Sequence, residues 1–251
     1  MLDDTYLIDL KKRFIDTIDK YNDDAPFETK KWDFLKNEGC AETNVSRGNF
    51  FEKAVVSTVK ATVTLPDNQH PSTIQWLGIQ TFPSNPLVPA LVGVFEHVSE
   101  KGGEFCPAFY DVYPVIPYEE DKEYLKTLIE DAAIKHNREY KELAEGYKKM
   151  FRVKETGIGI GYGIGVALGP EETDSEYYKS SAEAIFKGYF DIVEKRKNEK
   201  PKPEHFDEMF KQRREWVRFT FMENRFFLGG LQVGVPAECF MLHMLPPVVK
   251  F

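Results

Sequence analysis

The chain has 251 residues, 42% of them hydrophobic, and a formal net charge of −8. That length suits one sizeable domain over residues 1–251, and the negative balance argues against a nucleic-acid footprint. No apolar run approaches the roughly 18 residues that span a bilayer, and the opening MLDDTYLIDLKKRF has no signal-peptide core, so a soluble, cytoplasmic protein is expected.

Asp3 to Tyr21 reads as an amphipathic helix, because Tyr6, Leu7, Leu10, Phe14, Ile15 and Ile18 recur at helical spacing. Asn22 to Pro26 stops it. Val55 to Thr64 alternates with period two, Val55, Ser57, Val59, Ala61 and Val63 forming the more apolar face of a strand. Leu65 to Ser72 is a turn rich in Asp, Asn and Pro, and Ile74 to Phe82 is the next strand. Leu91 to Val98 and Phe105 to Tyr113 form two more strands around the polar loop Ser99–Gly103, whose glycine pair allows positive φ. Pro114 and Pro117 end the second of these, since proline cannot donate to the ladder.

Glu119 to Met150 is predicted helical, with an acidic start that suits a helix N-terminus. In Gly157 to Gly165 the glycines fall on every second residue, so no register gives a dinucleotide-binding loop. The pattern predicts a strand with one bare face. Asp174 to Lys197 is a further helix, Lys195 to Lys202 a solvated linker, Phe206 to Arg214 a short helix and Arg214 to Phe221 a strand. Together these elements predict an α+β fold: a large, mostly antiparallel sheet with helices on both faces.

For chemistry, Cys40, Cys106 and Cys239 include no C-x-x-C pair, and the five histidines form no metal-binding spacing, so no metal is expected. The 14% aromatic content, with 20 Phe and 12 Tyr, makes either a Phe-rich core or a pocket for a large flat ligand. Asp111 stands between Phe109, Tyr110, Val112 and Tyr113 in a predicted strand. It either faces solvent or is held inside, where the pKa of an acid moves. His97 is the other candidate acid–base group, with a structural role as the alternative.

Several stretches resemble the oxygen-dependent coproporphyrinogen III oxidases, in the order that family carries them. These are Phe51-Glu52-Lys53-Ala54, Asn85-Pro86-Leu87-Val88-Pro89, Asp111-Val112-Tyr113-Pro114, Glu120-Asp121, and a close of Gly230-Leu231-Gln232-Val233-Gly234 then Glu238 to Pro247. A fainter resemblance links Asp111 to Pro114 with the ferredoxin-dependent bilin reductases. The resemblance implies a tetrapyrrole ligand between sheet and helices, a homodimer, and no metal or flavin. It gives Asp111 the role of pairing with pyrrole N–H groups and makes Asn85, Tyr162 and Glu238 substrate-binding positions.

The family's cationic and histidine positions are changed. Its strand histidine corresponds to Val92, a nearby arginine to Glu96, the arginine of the glycine-rich strand to Tyr162, and another arginine to Pro236. Arg47, Arg218 and Arg225 are the substitute partners for substrate carboxylates, or else surface arginines. Three readings follow: an oxidase-like enzyme using O2 as co-substrate, a bilin-reductase-like enzyme fed by an external ferredoxin, or a tetrapyrrole-binding protein without catalysis. The whole-chain resemblance favours the first.

Overall fold

The computed structural model describes residues 2–35, 38–64, 70–151, 161–169 and 174–251, with only the backbone at Met150 and Arg225. The turn at 65–69, the stretch from Gly157 to Ile160 and the Arg225 side chain, all used above, lie outside the described residues.

The element order is α1 (Thr5–Ile18), β1 (Glu28–Phe34), β2 (Gly39–Ser46), β3 (Phe51–Val63), β4 (Ser72–Pro83), β5 (Ala90–Glu100), β6 (Gly103–Phe105) and β7 (Ala108–Tyr113). There follow α2 (Glu119–Lys135), α3 (Tyr140–Met150), β8 (Val166–Leu168), α4 (Ser175–Arg196), α5 (Pro203–Met222), α6 (Arg225–Gln232) and α7 (Ala237–Met244). The strands form one sheet in the order β1-β2-β3-β4-β5-β7-β8, with β6 also paired to β5 and every ladder antiparallel.

The period-two rule divides the sheet cleanly into two faces. Leu77, Ile79, Phe95, Tyr110 and Val112 point to one core, and Trp76, Phe82, Val94, Phe109 and Tyr113 to the other. On the first face, α1 buries Leu7, Leu10, Phe14 and Ile18, each contributing roughly 1.5–3 kcal/mol of apolar burial. Asp4 caps that helix by accepting from the Leu7 N–H at 2.8 Å. Beside it, α4 is fastened through the Tyr189 hydroxyl, 2.6 Å from Thr81 Oγ1, and through a contact of Ser181 with the Tyr110 hydroxyl. The second face is covered by α5, α6 and α7, while Tyr147 of α3 and Phe151 just beyond it complete that core.

Several predicted boundaries change. The expected strand Arg214–Phe221 and the short helix before it are one helix, α5, with Pro203 in its first turn. Its buried residues Met209, Arg213, Trp216, Phe219 and Thr220 fall at helical spacing, while Phe221 of the expected strand is exposed. The long helix over 119–150 is two helices, parted where Asn137 takes φ 55°. Pairing in the central hairpin continues through Glu100, and the Cys106-Pro107 step splits the returning strand. Among the described residues of the expected glycine-rich strand, 161–165 run as irregular chain, and pairing with β7 begins just beyond it at Val166–Leu168.

Candidate functional site

Asp111 lies in the middle of β7, on the face that carries Phe109 and Tyr113, and pairs across to Val92 of β5. It is fully buried. Its Oδ1 accepts from the Val112 N–H at 2.8 Å and its Oδ2 from the Gly163 N–H at 2.8 Å. The Gly165 N–H and the Tyr147 hydroxyl also lie near enough to favour its charged form. Tyr147 in turn lies 2.7 Å from the Tyr113 hydroxyl, which makes a chain from Asp111 through two phenols.

The glycines explain how a second segment wraps this carboxyl so closely. Gly161 and Gly163 take φ of 90° and 69°, a region that side chains disfavour. A Cβ at Gly165 would stand 1.7 Å from the Tyr110 carbonyl oxygen. Burial pushes the Asp111 carboxyl up to about 7, more than the surrounding donors lower it. An acid with that value holds and releases a proton near neutrality, the range suited to general acid–base work.

The same sheet face opens at its other end into a cleft of about 1130 Å³, bounded by the ends of β3, β4 and β5 and by α6. It exceeds the roughly 300–1,000 Å³ of common ligand pockets. Trp76, Glu96, Phe226, Val235 and Phe240 are among its walls. Glu96 lies directly across from Trp76, and burial pushes its carboxyl up to about 7. Glu96 and Phe226 also line a cavity of about 30 Å³ with Phe109. Val94 and Phe109 then line another of about 30 Å³, which reaches Val92 and Tyr113. A seam of shared residues therefore runs from the open cleft to the Asp111 phenols. The Phe109 ring closes it, with centroids 4.4 Å from Phe226 and 4.7 Å from Phe151.

The sequence model of the coproporphyrinogen III oxidase family matches residues 4–251. The chain belongs to that family. A crystal structure of phytochromobilin synthase from tomato in complex with biliverdin is also similar to it. That likeness has a TM-score of 0.56 at 9% sequence identity and covers 93% of this chain and 80% of that one. The shared feature at that identity is the fold.

Within this coproporphyrinogen oxidase family member, the other residues singled out from sequence are dispersed. His97 stands five residues from Val92 in β5, so the pleat turns it to the opposite sheet face. Its Nδ1 lies 3.0 Å from Asp4 Oδ2, outside hydrogen-bond alignment, and its Nε2 lies 3.4 Å from Glu104. Asn85 Nδ2 donates to the Glu199 carbonyl at 2.8 Å and its Oδ1 accepts from the Leu87 N–H, tying the loop after β4 to the end of α4. The Tyr162 hydroxyl faces the backbone of Tyr118 at 3.2 Å, while its own N–H joins the glycine segment to Val112. Glu238 accepts from Lys30 at 2.9 Å and from the Trp32 indole at 3.3 Å. Arg218 is half-buried on α5 and does not line the cleft, and Arg225 opens α6.

Neighbouring polar groups prove structural. Asp121 is buried against Arg196, whose Nε donates to it at 2.8 Å and whose guanidinium stacks 3.6 Å from the Tyr118 ring centroid. Burial pushes His243 down to about 3, so it is neutral, with Nδ1 3.0 Å from Ser57 Oγ. Buried Lys53 donates to the carbonyls of Leu242, His243 and Leu245, satisfying the C-terminus of α7. Among the described residues no group of three His, Cys, Asp or Glu is placed to hold a metal ion, and no helix is long and apolar enough to cross a membrane.

Sequence reasoning did not identify Tyr113 or Tyr147 as site residues, and it placed Glu96 at a family site position only as the replacement of an arginine. For Glu96 a signal was present: it keeps parity with Val92 and Val94, and so shares the face of Asp111. Tyr147 arrives from a helix, where nothing local distinguishes it from a core tyrosine.

Proposed function

We propose that this protein is a tetrapyrrole-processing oxidoreductase in which Asp111 exchanges protons with the ring. The observation that carries the reading is the buried Asp111 carboxyl, raised to about 7 and joined through Tyr147 and Tyr113 to a seam that leads into the cleft. Family membership and the biliverdin complex of the similar fold support a tetrapyrrole as the ligand. The aromatic walls of the cleft suit a flat macrocycle or a linear tetrapyrrole. Displacing the Phe109 and Phe226 rings from the seam brings the ligand up to the phenols, and protons pass from Asp111 along them. Electrons then come from an external donor such as ferredoxin.

The second reading, favoured by the family match over residues 4–251, is oxidation of a propionate to a vinyl group. There the side chain loses CO2, one proton and two electrons, and O2 takes up the electrons with two protons to give hydrogen peroxide. Asp111 would hold the pyrrole nitrogens in that reaction. A homodimer in the cytoplasm belongs to either reading, and sedimentation of the purified protein measures the oligomer.

The test is absorbance titration with coproporphyrinogen, protoporphyrin, haem and biliverdin, aerobically and anaerobically, for wild type and Asp111→Asn. Reductant-dependent bleaching of biliverdin that collapses in the variant supports the first reading. O2-dependent loss of coproporphyrinogen that collapses in the variant supports the second. Absence of binding by all four ligands refutes the tetrapyrrole assignment.

A further inference from the structure

One polar side chain on the seam lacks a partner. Gln80, near the end of β4, pairs across to Val92 of β5, which in turn pairs with Asp111 of β7. Direct register puts all three side chains on one sheet face, with roughly 10 Å, two strand spacings, from Gln80 to Asp111. Gln80 is 3% exposed, and its carboxamide makes no hydrogen bond among the described residues. It lines the cavity of about 30 Å³ that also touches Val92, Tyr113, Thr220, Asn224 and His243. The other polar side chains there are held. Thr220 Oγ1 donates to the Trp216 carbonyl at 2.9 Å, and Asn224 Oδ1 accepts from the Phe226 and Phe227 N–H groups. His243 Nδ1 lies 3.0 Å from Ser57 Oγ, and the Tyr113 hydroxyl 2.7 Å from that of Tyr147. A buried amide left alone costs stability, and such exceptions in native proteins occur where a bound molecule completes the bonding or the group has a functional role. Val92 occupies the place of the family's strand histidine, so the polar group expected on β5 is missing there and present on the adjacent strand.

We infer that Gln80 replaces that histidine as the residue that hydrogen-bonds the ligand beside the phenols, through a neutral polar group of the ligand, a carbonyl or an N–H. The inference rests on the tetrapyrrole reading above and assigns it a contact. A carboxamide offers a donor and an acceptor without charge, which suits a neutral group and not a carboxylate. A ligand that reaches the Tyr113 hydroxyl lies against the same cavity wall as Gln80.

The experiment is absorbance titration with biliverdin and with protoporphyrin IX for wild type, Gln80→Leu, Gln80→Met and the double variant Gln80→Leu with Val92→His. Whichever ligand wild type binds should bind both apolar variants at least about fivefold more weakly, the size of one neutral hydrogen bond. Urea midpoints of the apolar variants should equal or exceed that of wild type, because an unpartnered buried amide has been removed. The double variant should recover most of the affinity, a rescue that a structural role for Gln80 does not produce. Unchanged affinity in the apolar variants overturns the inference and leaves a buried water as the partner of Gln80, with tetrapyrrole binding intact. Weaker binding together with lower urea midpoints in both apolar variants, or a loss that Val92→His leaves unrepaired, also overturns it. If wild type binds neither ligand, the inference and the function it rests on fall together.

Discussion

The buried acid makes a prediction about stability that needs no knowledge of the ligand. Asp111 moves from its ordinary value of 3.8 to about 7 in the folded protein, and each unit is worth about 1.4 kcal/mol. The folded chain therefore holds a proton that the unfolded chain has already released. The stability this contributes is complete below about pH 4 and declines by about 1.4 kcal/mol per unit until it is gone above about pH 7, about 4 kcal/mol in all. Asp111→Asn abolishes the titration. It also turns an amide donor toward the N–H of either Val112 or Gly163, at a cost of about 1–3 kcal/mol. Wild type should be the more stable protein at pH 4.5, and the variant should match or overtake it by pH 8. Glu96 adds a slope of the same sign, but it is present in both proteins and cancels in the difference. Urea unfolding at half-unit steps from pH 4.5 to 8.5 measures that difference. A difference that stays flat, or a wild-type advantage that grows with pH, would refute the burial argument.

Three further perturbations examine the supports of the site. Gly165→Ala places a methyl 1.7 Å from the Tyr110 carbonyl oxygen and should cost about 3 kcal/mol or more by overpacking. Gly102→Ala meets nothing within 4 Å and should stay within about 0.5 kcal/mol of wild type; denaturant midpoints compare the two. Arg196→Ala strands the buried Asp121 carboxylate, with Lys195 at 2.6 Å as its remaining cation. A loss near the lower end of about 3–5 kcal/mol is expected, and a loss under 1 kcal/mol would mean that the pair is solvated. Tyr147→Phe removes a hydroxyl that lowers the Asp111 pKa, so the Asp111 titration, read from the same stability differences, should move to higher pH. A downward shift would contradict the assigned donor direction.

The strands were legible because their period is two and their cores are Val- and Phe-rich: Val55 to Thr64, Ile74 to Phe82 and Leu91 to Val98 all lie within observed strands to within a residue or so. The same rule failed at Arg214 to Phe221, where Trp216 and Phe219 belong to a helical stripe that begins at Met209. Eight residues of alternating bulk do not separate the two periods; the 20 residues of α5 do. Asp111 was legible as an acid among aromatics. Its pKa was not, because the donors and walls that set it come from Tyr147 and Gly163, 36 and 52 positions later in the chain. His97 shows the converse. It was singled out for residue type, yet its parity with Val92 already assigned it to the face of α1. Glu96 satisfies the parity that His97 fails, and it stands where the family resemblance expects an arginine. Residue type chose His97, whereas geometry favours the carboxylate one position before it. Strand parity is therefore a sharper guide to which side chains share a site than the chemical familiarity of any one of them.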